Sequence, residues 1–260
     1  MEVFSTAAGA RPIAQICLTF PPLLRPVEGL FPPSLGADFK MTANGRALSS
    51  VREQYLASVL AGDRRASMRV VDAAIEAGAT ALDIYLEVVA EAQREIGRLW
   101  QANRISVADE HQATAISQLV LSLLYARLGR KPSSGRKAIL ACVEGELHDM
   151  ALRIAADVLE AGGLDVCLLG ANVPTSSLLA KIDEKRPDAL LLSVTMTFHV
   201  AAAREAVRRI RERHTRLPII VGGEAVIGNP TTWRDDVIVS RGNALDLAAT
   251  LERALGGGVS

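Results

Sequence analysis

The stretch AILACVEGELHDMALRIA, residues 138–155, decides the fold of the C-terminal half of the chain. Its apolar run AILACV indicates a buried strand, and after a short polar loop the apolar residues return at helical spacing. The loop holds Glu146 and, two residues later, His148, which is one of only four histidines. A carboxylate in that position can hydrogen-bond one ring nitrogen and leave the other free to bind a metal. Polar residues are also common at helix starts, so the loop alone leaves a ligand site and a plain helix cap both open.

The same strand–loop–helix unit recurs downstream. The apolar runs LDVCLL, ALLLSV, PIIVGG and VIVS follow the first one, separated by stretches with helical spacing. Because each run is apolar throughout, both faces of the sheet should be covered, as in parallel sheets. We therefore predict a Rossmann-like α/β domain over residues 137–260 with a five-stranded, flavodoxin-like parallel sheet. Its helices are predicted near residues 147–161, 175–185, 198–215 and 243–256.

The residues before this domain have a different pattern. Apolar residues recur at three- and four-residue spacing between residues 49 and 130, which predicts a four-helix bundle that caps the sheet domain. Ser106, followed by Asp109, is a capping-box pattern and marks the start of the last helix. Residues 131–136 form a polar linker, and the proline-rich residues 1–48 are predicted to be an irregular arm. The four helices are predicted near residues 49–62, 65–78, 80–102 and 107–130.

The overall composition narrows the class of protein. Lys+Arg and Asp+Glu are 29 each, so net charge offers no argument for binding nucleic acid or an anionic membrane. The three cysteines are widely spaced, and no Cys-x-x-Cys pair indicates a zinc site. No apolar stretch reaches the roughly 18–20 residues of a membrane span, and the N-terminal residues do not resemble a signal peptide. We expect a cytoplasmic protein that is not an enzyme, because no catalytic triad or phosphate loop is found.

Small residues stand at the ends of two predicted strands. Ser193 lies at the end of the third strand, and Gly222 and Gly223 end the fourth. Ligands of open α/β sheets bind outside the carboxyl ends of the strands, so small residues there would clear a slot near His148. Glycines also end strands merely as turns, and the slot therefore depends on all three residues together.

The order and spacing of these residues resemble the cobalamin-binding domain of methionine synthase, methylmalonyl-CoA mutase and their relatives. That family carries Asp-x-His-x-x-Gly, then Ser-x-Leu or a variant, then Gly-Gly. The resemblance implies that cobalamin is the cofactor, that His148 binds cobalt from below, and that the nucleotide tail of the cofactor fills the slot. Glu in place of Asp keeps the carboxylate, whereas Ala in place of Gly adds a methyl group near the corrin edge. The corresponding residues here are Glu146-x-His148-x-x-Ala151, Ser193 and Gly222-Gly223.

The predicted cap carries a second motif. Trp100 is followed, after nine residues, by Glu110 and His111, and a helix–turn–helix brings the three to the same end of the bundle. Alone, they describe an aromatic core residue and a solvated polar pair equally well. The W-x9-E-H motif resembles the cap of CarH-type light-responsive regulators. That resemblance implies that Trp100 and Glu110 shape the upper face of the cofactor, and that His111 can reach cobalt once light removes the upper ligand. Whether the upper ligand is adenosyl, methyl or hydroxo stays open.

A cap and a cobalamin domain without a MerR-like DNA-binding domain resemble the AerR/PpaA group, regulators of photosynthesis genes in purple bacteria. The resemblance covers residues 49–256 and implies a light-responsive transcriptional regulator that acts as an antirepressor. Its partner is then a DNA-binding repressor of CrtJ/PpsR type, with no specific nucleic-acid binding and no membrane contact of its own. Two alternatives stay open. One is a corrinoid methyl carrier of a methyltransferase system, and the other is a haem-binding redox or light sensor, since two facing imidazoles also suit iron.

Overall fold

The structure, a computed structural model, describes residues 45–228, 233 and 237–256. The first helix begins at Gly45, earlier than the predicted start of the cap at residue 49. Most of the predicted irregular arm, residues 1–44, lies outside the described residues. None of the helices in the described part of the chain combines the length and hydropathy that crossing a bilayer requires.

The cap is built from α-helices, three of which begin at a capping side chain. They are α1 (Gly45–Leu60), α2 (Arg64–Glu76), α3 (Ala81–Asp83), α4 (Ala90–Gln101) and α5 (Val107–Leu124). Asp63, Thr80 and Ser106 accept backbone hydrogen bonds in the first turns of α2, α3 and α5. The capping box predicted for Ser106 and Asp109 is confirmed, since both of its reciprocal bonds are present.

The helix predicted near residues 80–102 is continuous but irregular. Between α3 and α4 the chain forms a π-helix, Ile84–Val89, and five of its six side chains are buried in the cap core. A single π-helical turn only shifts where the next apolar residues fall along the helix. The spacing of apolar residues in the sequence therefore does not distinguish this π-helix from an α-helix. The helix predicted near residues 107–130 is wrong at its end, because α5 stops at Leu124 and Tyr125–Arg127 forms a 3-10 turn.

The predicted five-stranded parallel sheet is confirmed. Its strands are β1 (Lys137–Cys142), β2 (Asp165–Gly170), β3 (Ala189–Ser193), β4 (Ile219–Gly222) and β5 (Ile238–Val239), in the order β2-β1-β3-β4-β5. All four pairings are parallel. This is the flavodoxin-like strand order. After β1 the chain adds β2 on one side and the later strands on the other, so the topological switch point lies between β1 and β3, where such sheets bind ligands.

Alternating side chains of the strands face two separate layers of helices. Leu140 and Leu191 belong to the core on the side of α6 and α10, whereas Ile139 and Leu190 belong to the core on the side of α7 and α8. The helix predicted near 147–161 begins only at Met150, so His148 remains in the loop. The helices are α6 (Met150–Ala161), α7 (Thr175–Lys185), α8 (Val200–Arg213), the short α9 (Glu224–Ile227) and α10 (Ala244–Gly256).

The cap is joined to the sheet domain through α6. The buried apolar cluster of the cap continues into the α6 face of the sheet without interruption. Within it, the hydroxyl of the fully buried Tyr85 lies 2.8 Å from the Leu121 carbonyl oxygen and 3.0 Å from Oδ2 of Asp157. The Tyr125 hydroxyl donates a hydrogen bond to Glu160. These contacts hold the C-terminal end of α5 against α6.

Candidate functional site

The loop after β1 is organised around Glu146, whose side chain is completely buried. Its Oε2 accepts hydrogen bonds from the backbone N–H groups of Thr195, at 2.9 Å, and Met196, at 2.8 Å. Its Oε1 accepts the N–H of His148 at 3.0 Å. Burial raises the pKa of Glu146, but these hydrogen bonds and the His148 ring outweigh it and lower the pKa to about 2. Glu146 is therefore an ionised anchor that joins the loops after β1 and β3.

Glu146 also determines how His148 presents its ring. The Nδ1 atom of His148 lies 2.6 Å from Oε1 of Glu146. An ionised carboxylate only accepts, so the proton sits on Nδ1 and the neutral ring keeps a lone pair on Nε2. The hydrogen bond to Glu146 raises the pKa of His148, burial opposes it, and the charges of Glu146 and Glu110 add to the rise. The side chain is 41% exposed, and within the described residues Nε2 has no hydrogen-bond partner.

Two residues that the sequence analysis missed brace this loop. Gly145 has φ +88°, and a β-carbon there would lie 2.7 Å from the ring of His199. Its N–H donates to the Asn172 side-chain oxygen at 2.8 Å, and the Asn172 N–H donates to the Glu146 carbonyl at 2.8 Å. Asn172 adopts a left-handed conformation with φ 51°, which Asn tolerates better than most residues. An Asn two residues after a strand is the only signal that the sequence offers for this role. A single sequence does not show which residue the Asn contacts across the edge of the sheet.

Small residues line up across the carboxyl edge of the sheet. In register, Cys142 of β1 pairs with Ser193 of β3, and Ser193 pairs with Gly222 of β4. A β-carbon on Gly222 would lie 3.6 Å from Cβ of Ser240, which continues the row beyond β5. Ser193 and Ser240 are almost completely buried. The predicted convergence of Ser193 and Gly222 is thus present, and Ser240 is an addition to it.

Gly223 has a different role from Gly222. Its φ is +108°, and a β-carbon would lie 2.3 Å from the carbonyl oxygen of Val194. Only glycine fits this backbone, whatever space lies beside the sheet. The sequence predicts that both glycines clear a slot. In the structure a β-carbon on Gly222 would be in ordinary contact with Ser240, whereas Gly223 is required by the turn between β4 and α9.

The structure brings Trp100 close to His148 and keeps the other two predicted cap residues together on α5. Trp100 lies in the last turn of α4, and its ring centroid is 6.4 Å from that of His148. Asn103, in a left-handed conformation, helps to close the turn that leads to α5. Glu110 and His111 lie in the first turns of α5, where a Glu110 oxygen contacts Nδ1 of the ring. The His111 side chain is 73% exposed, and that of Glu110 only 15%.

The single nitrogen donor of His148 suits a metal that is already held in a macrocyclic cofactor. Within the described residues, no group of three or more His, Cys, Asp or Glu side chains could hold a bare metal ion. His148 instead offers a single oriented nitrogen, faced by the indole of Trp100. A metal in a planar macrocycle needs only axial ligands from the protein. The row of small residues lies beside this loop, at the same edge of the sheet.

Comparison with known proteins identifies the class. Residues 136–249 match the B12 binding domain, and residues 51–125 match a second family that is also described as a B12 binding domain. The chain is therefore a cobalamin-binding protein, and its cofactor is cobalamin. The single oriented nitrogen that His148 presents fits this cofactor.

The relatives belong to two functional groups. The HTH-type transcriptional repressor CarH of Myxococcus xanthus is 32% identical over 201 residues, which are 76% of this chain and 66% of CarH. This chain thus spans about two thirds of the length of that relative. A corrinoid protein of Desulfitobacterium hafniense is 21% identical over 73% of this chain and 89% of its own. The Methanosarcina barkeri monomethylamine corrinoid protein shares the fold, with a TM-score of 0.68 and 20% identity over 80% of this chain and 99% of its own.

Proposed function

We propose that this protein is a light-responsive transcriptional regulator of the AerR/PpaA type. It acts as an antirepressor on a separate DNA-binding repressor of CrtJ/PpsR type, and it carries out no catalytic reaction of its own. The observation that carries the proposal is the placement of Trp100 6.4 Å from His148, with Glu110 and His111 at the start of the next helix. This combination of a W-x9-E-H cap and an oriented histidine resembles the CarH-type regulators, and CarH is a relative of this chain.

Each site residue has a separate task in this proposal. His148, oriented by Glu146, would bind cobalt from below. Trp100 would cover the upper face of the cofactor, and Glu110 would orient the ring of His111, which would bind cobalt from above. Bound cobalamin supplies a cobalt centre whose upper position is labile to light when it carries an alkyl group. Ser193 and Gly222 flank the space for the nucleotide tail.

Ligation of cobalt by His111 only after illumination would supply the free energy that changes the arrangement of the cap and the sheet domain. A nitrogen bond from α5 to the cofactor, made after illumination, would tie the cap to the loop of His148. A ligand shifts a conformational equilibrium only by its differential affinity for the two arrangements, and this bond provides such a difference. The partner repressor would then recognise the altered arrangement of cap and sheet domain.

Substitution of His111 by alanine should remove the illuminated state. We expect wild-type protein and His111→Ala to bind cobalamin similarly in the dark, and only the wild type to gain the absorption bands of a second nitrogen ligand in light. His214→Ala is the matched control, because His214 lies beside Asp183 rather than in the cap. Identical illuminated spectra for wild type and His111→Ala would exclude His111 as the upper ligand.

The regulatory output is expected to require the partner. With zero formal net charge, the chain has no bulk electrostatic attraction to DNA. In a gel-shift assay, the protein alone should leave a photosynthesis promoter unshifted, and it should weaken the shift produced by the repressor. Sequence-specific binding by this chain alone would contradict the antirepressor proposal.

A corrinoid methyl carrier is the second candidate. It is favoured by the shared fold with the Methanosarcina barkeri corrinoid protein. The two candidates differ in their response to light. A carrier should pass a methyl group from bound methylcobalamin to its methyltransferase in the dark, whereas the regulator should change its partner's DNA binding only when illumination changes the cobalt ligand.

Filling the slot should weaken cobalamin binding. Gly222 has room for a β-carbon, but a leucine side chain would extend into the space between Ser193 and Ser240. We expect Gly222→Leu to reduce affinity about 10–100-fold, as overpacking by 1–3 kcal/mol does, and Gly222→Ala to reduce it less. Equilibrium dialysis with both variants measures this. Unchanged affinity in Gly222→Leu would place the nucleotide tail elsewhere.

A further inference from the structure

A chain of polar contacts runs through the cap and ends at Glu110. It begins at Tyr55 on α1, whose hydroxyl donates to Oγ of Ser117 on α5 at 3.0 Å. The Gln93 amide, on α4, lies 2.7 Å from the same Ser117 oxygen. The Thr114 hydroxyl then lies 3.0 Å from the Gln93 side-chain oxygen and 2.8 Å from Oε1 of Glu110. Tyr55 and Ser117 are completely buried, so their polar atoms depend on these contacts.

The number of available protons determines which group donates in each hydrogen bond of this chain of contacts. Thr114 has one hydroxyl proton but two acceptor oxygens within reach. Ser117 receives two donors, and among the described residues its own proton has no acceptor. Turning over the Gln93 amide resolves both conflicts. Ser117 then donates to the Gln93 oxygen, and the Gln93 nitrogen donates to Thr114. The Thr114 proton is left for the side-chain oxygen of Glu110, which then accepts the last hydrogen bond of this series.

We propose that Gln93 and Thr114 are positioning residues for Glu110 and, through it, for His111. This inference rests on the proposed role of His111 as the upper ligand. Thr114 holds one oxygen of Glu110, and the other oxygen contacts Nδ1 of His111, so the carboxylate is fixed at both ends. Gln93 lies on α4, the helix that also carries Trp100. The same chain therefore sets the orientation of α5 relative to the helix that carries Trp100.

The test removes the proton donor while keeping the shape of the side chain. Thr114→Val is nearly isosteric but cannot donate, and Thr114→Ser restores the hydroxyl. Gln93→Met is a second variant that breaks the chain one step earlier. Ser122→Ala is the matched control, because the Ser122 hydroxyl donates only to the Gln118 carbonyl on an exposed part of α5. Thermal unfolding first establishes that every variant folds.

The first measurement uses the protein without cofactor. Proton–nitrogen correlation spectra report which ring nitrogen of the neutral His111 carries the proton. The contact with Glu110 favours the proton on Nδ1, whereas an unconstrained histidine favours Nε2. We expect the ratio of the two tautomers to shift about threefold to tenfold toward Nε2 in Thr114→Val and Gln93→Met, below the roughly 10–100-fold effect of losing a direct outer-shell partner. Thr114→Ser and Ser122→Ala should resemble the wild type.

The second measurement uses cobalamin-loaded protein after illumination. Thr114→Val should lose a similar factor in the ratio of His111-ligated to unligated cobalt, and Thr114→Ser should restore it. If the wild type shows no His111 ligation, the proposed upper ligand fails while the tautomer measurement still tests the positioning chain. If the tautomer ratio in folded Thr114→Val equals that of the wild type, Thr114 does not position His111 and the inference is overturned.

Discussion

His148→Ala protein is expected to lose cobalamin binding. The ring is held by a completely buried carboxylate and presents its free nitrogen on a partly exposed side chain. Removal of outer-shell partners of a metal-bound histidine typically costs about 10–100-fold in affinity, so loss of the ligand itself should cost more than about 100-fold. Equilibrium dialysis of apoprotein against cobalamin measures this directly.

The fold should tolerate this substitution, which keeps the result interpretable. A side chain that is 41% exposed contributes little to core packing, so thermal unfolding of the apoprotein should change little. His214→Ala, which removes a histidine at the end of α8, should bind cobalamin as the wild type does. Normal affinity in His148→Ala would mean that another group ligates cobalt.

Glu146→Gln should reduce both stability and affinity, although the two side chains have the same shape. Each carboxylate oxygen accepts hydrogen bonds, Oε2 from Thr195 and Met196 and Oε1 from His148. An amide must turn its NH2 group toward one of these sets of N–H donors and leave them unpaired. We expect the free energy of unfolding to fall by about 3 kcal/mol, since a buried unsatisfied group costs about 1–3 kcal/mol.

The matched control for this substitution lies in the same loop. Glu144 is exposed, and it accepts one long hydrogen bond, at 3.4 Å, from the Thr175 N–H. Glu144→Gln should therefore change the urea unfolding midpoint only slightly, and it should leave cobalamin affinity near the wild-type value. Equal midpoints for the two variants would show that Glu146 does not anchor the loop.

The sheet and the loop of His148 were predictable from sequence because local patterns determine them. Continuously apolar runs indicate buried parallel strands, and the side of a sheet on which a βα loop lies follows from the direction of its strand. The two-residue spacing of Glu146 and His148 sufficed to predict their contact, now seen at 2.6 Å. The capping box at Ser106 was predictable for the same reason.

The remaining features depend on contacts between segments that are distant in the sequence. Gly223 and Gly222 look alike in sequence, and only the approach of Val194 to one of them separates their roles. The polar chain from Tyr55 to Glu110 joins three helices, and apolar periodicity does not determine how those helices rotate relative to one another. The π-helix was missed because five of its six residues are apolar and buried, as they would be in an α-helix of the core.

Electron paramagnetic resonance of bound cob(II)alamin tests the central claim, that His148 ligates cobalt in place of the nucleotide tail. The protein is labelled with the heavy nitrogen isotope in histidine only, and the cofactor keeps ordinary nitrogen. Unpaired spin on cobalt couples to the axial nitrogen, and the heavy isotope splits each line in two, whereas ordinary nitrogen splits it in three. The account predicts doublets with labelled protein and triplets with unlabelled protein. Triplets in both samples would contradict it, because the axial nitrogen would then come from the cofactor's own tail.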